Sequence, residues 1–223
     1  MIKKIYTCVL IVLSAITASA QTNALPVKEW SCTAETPFIL YITGDGGFNN
    51  FSTDLCAAIN KSGYAVTSIN AKSFFWDKKT PEQTTTAILS YLTKQFNSRK
   101  NQQLVLAGFS FGADVMPFIV NRLPDTIREK LVSVVLLSPS ASTDFEVHWS
   151  DIFGGNKKRS MDVVAEINKM SVPKATTIFG SDETDFPVKT IKLKNYINEI
   201  LSGGHHFDSN TVEVAKIMMQ HFK

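Results

Sequence analysis

The sequence predicts an α/β chain with a mostly parallel central sheet and helices on both of its faces, and two observations carry that prediction. Short runs rich in Val, Ile, Leu and Phe alternate, from Phe38 onward, with stretches of helical apolar periodicity. Several of the runs are continuously apolar, as strands covered on both faces must be.

The first run, Phe38–Thr43 (FILYIT), ends in the turn Gly44-Asp45-Gly46-Gly47. A helical stretch around Ser52–Lys61 follows, then a second strand, Tyr64–Asn70. The next helix has a clear start. Thr80 is its N-cap, Pro81 fills the first helical position, and Gln83 stands where a side chain can reach back to the cap amide. Ile88, Leu92 and Phe96 give that helix an apolar stripe. Gln103–Gly108 is a third strand, and Val115, Phe118 and Ile119 mark a helix ending near Asn121. Leu131–Ser138 (LVSVVLLS) reads as a buried strand. From about Pro139 to Val172 the alternation lapses, which predicts an excursion over the top of the sheet rather than a second domain. Ala175–Gly180 and about Ile197–Leu201 supply two more strands, and an amphipathic helix, Thr211–Phe222, closes the chain. The sequence contains no internal repeat.

Residues 1–20 stand apart. Lys3 and Lys4 precede an apolar run too short to span a bilayer comfortably, and Ala18-Ser19-Ala20 resembles a cleavage site. The expectation is a secretory signal peptide cut after Ala20 and a single exported domain over residues 21–223, with no transmembrane segment. Removing the first twenty residues, with their two lysines and no acid, takes the formal charge from +3 to +1. Such a near-neutral chain argues against nucleic acid as a partner. Export permits a disulfide between Cys32 and Cys56, but Cys56 lies on an apolar helical face where a buried thiol fits equally well. No metal-ligand spacing and no cofactor motif is present.

The chemistry-bearing stretch is "LVLAGFSFGADV". Here Ser110 sits in Gly108-Phe109-Ser110-Phe111-Gly112, after a strand and before a helix. That is the pattern of a nucleophile elbow, a turn so tight that side chains at the two flanking positions would strike neighbouring backbone. The Phe111 N–H is one expected oxyanion donor, and the Asp45 or Gly46 amide of the earlier glycine-rich turn is the second. A serine needs a base, and "SGGHHFD" offers His205 and His206. His206 is preferred because Phe207 can wedge the loop and fix its ring, with His205 as the alternative. The base needs an acid, and "GSDETDFP" offers Asp182, Glu183 and Asp185. Asp185 is preferred and Asp182 is the alternative. The order serine, acid, histidine is that of the α/β-hydrolase fold. The expected triad is therefore Ser110, Asp185 and His206, cleaving an ester through an acyl-enzyme.

Taken together, "TGDGGF", "FFWDKKTPEQT", "GFSFGADVMPFIVNRLP", "FEVHW" and "GGHHFD" resemble the VirJ family of exported bacterial proteins, whose longer relatives include AcvB. The resemblance implies a compact periplasmic α/β-hydrolase domain and the hydrolysis of aminoacylated phospholipids such as lysyl-phosphatidylglycerol. For some members it also implies work alongside type IV secretion proteins. Carried onto this chain, it supports Ser110 as nucleophile, the Gly180–Pro187 loop as acid source and the "GGHHF" loop as base. Two departures from the family pattern stand out: Ser73 and Phe74 replace an arginine and a tyrosine, and Phe186 replaces a cysteine. A cationic acyl group would want carboxylates at the mouth, for which Asp114 and Glu146 are candidates. Phe74, Phe75 and Trp76 are candidates for an apolar entrance, against the alternative that they are core. The rival to an esterase is a non-catalytic hydrolase-fold protein that serves an envelope or secretion assembly.

Overall fold

The computed structural model describes residues 25–147 and 159–223. The expected signal peptide and His148 lie outside them. Seven strands form one sheet in the order β1-β3-β2-β4-β5-β8-β9. They are β1 (Val27–Trp30), β2 (Phe38–Ile42), β3 (Val66–Ile69), β4 (Leu104–Phe109), β5 (Leu131–Leu137), β8 (Ala175–Gly180) and β9 (Tyr196–Leu201). Every pairing is parallel except β1 with β3. The carboxyl ends of the parallel strands therefore share one edge, where loops can gather functional groups.

Because strand side chains alternate, β2 and β4 feed two separate cores. Phe38, Leu40, Ile42, Leu104 and Leu106 pack with α3 (Pro81–Ser98) and α4 (Phe111–Val120). Ile39, Tyr41, Val105 and Ala107 pack on the opposite face with α1 (Asn50–Lys61) and α7 (Thr211–Gln220). The start of α3 is as its sequence predicts: Thr80 Oγ1 accepts from the Gln83 amide at 3.2 Å, and the Gln83 side chain accepts from the Thr80 amide at 2.9 Å.

Several elements carry no clear sequence signal. β1 holds Lys28 and Glu29 on a half-exposed edge, where charge rather than an apolar run is the usual guard against edge pairing. The one-turn helices α2 (Ala71–Phe74) and α5 (Asp125–Arg128) are too short to show a period. Within the expected excursion, β6 (Ser142–Thr143) pairs antiparallel with β7 (Met161–Asp162), and α6 (Val163–Ile167) buries Val163 and Ile167 beside α4. The final helix stops at Gln220 rather than Phe222, and the Phe222 ring turns in to meet Tyr64 edge-on at 5.3 Å.

Phe74 and Phe75 are core residues, not an entrance. Phe75 is wholly buried and meets Phe74, Phe111 and Phe145 edge-on, contacts worth about 0.5–1.5 kcal/mol each beyond area burial. Cys32 and Cys56 are unbridged, and burial pushes the Cys56 thiol up to about 12. Among the described residues, no helix is long and apolar enough to cross a membrane.

Candidate active site

Ser110 occupies the turn between β4 and α4 at φ 52°, ψ −120°, a left-handed backbone that a non-glycine residue adopts only under local strain. Its amide donates to Leu137 O at 2.8 Å, so the strained turn is tied to the adjacent strand β5. The flanking glycines are required by contact. A Cβ on Gly112 would lie 2.2 Å from Ile42 O, and one on Gly108 would lie 2.4 Å from the Gly112 carbonyl. Nothing larger fits where the helix crosses the end of β2.

Two loops at the same edge complete the arrangement. His205 Nε2 is 2.8 Å from Ser110 Oγ, and His205 Nδ1 is 2.7 Å from Glu183 Oε1. A carboxylate only accepts, so Nδ1 carries the proton toward Glu183 and Nε2 is left to accept from the serine hydroxyl. The other oxygen, Glu183 Oε2, accepts from Ser138 Oγ at 2.6 Å and from the Gly180 amide at 2.8 Å. Partial burial works to raise the Glu183 carboxyl, but the bonds from His205, Ser138 and the Gly180 amide outweigh it and hold the group below the usual carboxylate range. The loops carrying acid and base touch because Gly180 has no side chain: a Cβ there would meet Gly204 O at 2.3 Å.

Where His206 and Asp185 were expected, the structure instead brings His205 and Glu183 into the hydrogen-bonded run that starts at Ser110. Phe207 does wedge the loop, buried and stacked near Phe51 at 6.1 Å, but the residue this presents to Ser110 is His205. His206 stands edge-on to Phe51 and Phe109 instead, and burial, then the neighbouring His205, lowers its affinity for a proton. On the acid loop, Glu183 N donates to Gly180 O at 3.0 Å, a tight turn directly after β8 that brings position 183 back over the strand end. Asp182 takes a bond from Ser181 Oγ at 3.0 Å, and Asp185 lies further along the wall. The extra methylene of glutamate spans the gap to His205. Glu183 is in the sequence's candidate set; the signal that singles it out is its place as the fourth residue of a turn that begins at the strand's last glycine.

These groups open on a cleft of about 840 Å³, whose wall also holds Asp45, Gly46, Phe111 and Asp114. The expected oxyanion donors thus border the same space as Ser110. Phe111 is the first residue of α4, so its N–H has no acceptor within the helix. Glu146 and Trp76 are not part of the described wall.

A family model described as "Bacterial virulence protein (VirJ)" matches residues 36–223. The chain belongs to the VirJ family. No curated protein matches it significantly. Among solved structures, this VirJ-family chain is similar to a lipase-esterase related protein from Clostridium acetobutylicum at 16% identity and TM-score 0.63, covering 88% of this chain and 99% of that one. It is also similar to MenH from S. aureus, at 12% identity and TM-score 0.64, covering 87% and 97%. Est1E from Butyrivibrio proteoclasticus, with ferulic acid bound, matches at 16% identity and TM-score 0.61, covering 87% and 95%. At these identities the likeness establishes the α/β-hydrolase fold.

The described wall of this cleft is acidic. Six carboxylates stand on it against two cations, Lys72 and Arg159, and Arg159 pairs with Asp144 at 3.4 Å. Asp114 follows Ser110 by one helical turn and is 6% exposed. Its Oδ1 accepts from the Ser140 amide at 2.6 Å, yet burial dominates and pushes its carboxyl up to about 7. Among the described residues no cluster of three metal-ligating side chains is present.

Proposed function

We propose that this VirJ-family protein is a serine ester hydrolase working through Ser110, His205 and Glu183. The single observation that carries the reading is the unbroken run of short hydrogen bonds from Ser110 Oγ through His205 to Glu183. His205 takes the serine proton as Oγ attacks the ester carbonyl. Glu183 holds the ring and stabilises its charged form. The Phe111 amide and the Asp45–Gly46 turn receive the developing oxyanion, each donor being worth roughly a hundred- to a thousandfold in turnover. His205 then returns the proton to the leaving oxygen, and water attacks the acyl-enzyme by the same route.

For the substrate we propose an aminoacylated phospholipid such as lysyl-phosphatidylglycerol, met in the periplasm after export. The acidic wall supports a cationic acyl group, because ammonium paired with carboxylates away from bulk water makes strong hydrogen bonds. We assign this role to Asp45, Asp182 and Asp185, which line the wall; Asp114 accepts from the Ser140 amide. Incubation with vesicles containing lysyl-phosphatidylglycerol tests the proposal. Wild type should release free lysine, and Ser110→Ala should release none above the uncatalysed background. Retention of all the lysine by folded wild type would refute the substrate.

A further inference from the structure

We infer that Ser138 is a positioning residue for the candidate acid, fixing Glu183 so that one oxygen faces His205; the inference rests on the hydrolase reading above. Ser138 directly follows β5 and belongs to neither the nucleophile, the base nor the acid loop. Its hydroxyl is buried and donates to Glu183 Oε2 at 2.6 Å, while the Gly180 amide holds that same oxygen at 2.8 Å. With Oε2 pinned twice, Oε1 is left to accept from His205 Nδ1 at 2.7 Å. A glutamate has one more torsion to fix than an aspartate, so an acid of this length depends more on such pins.

The backbone supplies an independent reason to regard the hydroxyl as functional. Ser138 has φ 47°, in the left-handed region where glycine is at ease and a Cβ is not. Glycine would suit that conformation better, so the side chain is present at a conformational cost. The segment is also anchored at both ends. Ser138 N donates to Ile178 O at 2.8 Å on β8, and Ser140 N donates to Asp114 Oδ1 at 2.6 Å on α4, one turn beyond Ser110. The short stretch after β5 therefore ties the nucleophile's helix to the acid's strand, with Ser138 Oγ directed at the carboxylate between them.

Ser138→Gly separates this role from a merely structural one, because it relaxes the backbone while deleting the hydroxyl. The readout is inactivation of the purified full chain by a fluorophosphonate, resolved into a maximal rate and a half-saturating concentration. We expect the variant to remain folded, the relief of backbone strain offsetting part of the lost hydrogen bond, and its maximal rate to fall about ten- to a hundredfold, the effect of losing a hydrogen bond to a charged group, at unchanged half-saturation. In a Glu183→Gln background the same substitution should cost little more, since its partner charge is gone. Ser138→Ala should give the same kinetic result, and it decides the matter should the glycine variant fail to fold. A wild-type rate in the folded variants, or an equal loss in both backgrounds, would overturn the positioning role alone. Wild type reacting no faster than Ser110→Ala would overturn the hydrolase reading and this inference with it.

Discussion

His205→Ala should lose about four or more orders of magnitude in turnover on any ester the protein accepts, whereas His206→Ala should stay within about threefold of wild type. The two histidines are chain neighbours on one loop and differ in what they touch. His205 bonds both the serine and the carboxylate, so its removal leaves Oγ without a base. His206 makes aromatic contacts with Phe51 and Phe109, and their loss is worth about 0.5–1.5 kcal/mol of stability rather than a catalytic step. Steady-state rates on a chromogenic short-chain ester, with melting temperatures beside them, check both halves. A larger rate loss at position 206 than at 205 would reverse the assignment.

Glu183→Gln against Asp185→Asn is the second comparison with a large expected effect. The glutamine keeps the shape and one acceptor oxygen but removes the charge that stabilises the imidazolium, and its amide nitrogen can face the ring in the wrong sense. Replacing a triad carboxylate by its amide lowers turnover by roughly four orders of magnitude in the Ser-His-Asp template. Asp185→Asn alters a wall carboxylate that bonds neither His205 nor Ser110. Its effect should be confined to KM for cationic substrates, with kcat on a neutral ester within about threefold. Equal kcat losses on a neutral ester would show that both acids serve the base.

The contrast between these neighbouring residues also marks what the sequence could and could not reveal. Strands buried on both faces announce themselves, as Phe38–Ile42 does with an unbroken apolar run and Leu131–Leu137 does with a run broken only by Ser133. The elbow is legible for a steric reason: a Cβ at Gly108 or Gly112 would lie 2.4 or 2.2 Å from backbone, so the chemistry writes its glycines into the chain. The base and acid loops have no period to read. In "GGHHF" a one-residue shift in loop path exchanges His205 for His206, and the deciding facts are the φ of 97° at Gly203 and the burial of Phe207. In "GSDETDFP" the choice depends on a turn closing from Glu183 N onto Gly180 O, which composition does not encode. Ser138 carries no sequence signal either, since a serine closing a strand is unremarked until its hydroxyl is seen 2.6 Å from the carboxylate.

Peptide mapping by mass spectrometry after fluorophosphonate treatment tests the central claim most directly. One phosphonate per folded chain, attached to Ser110 and missing from Ser110→Ala, is the result this account predicts. A folded chain that takes up no label, or carries it on another residue while Ser110 stays free, would contradict it.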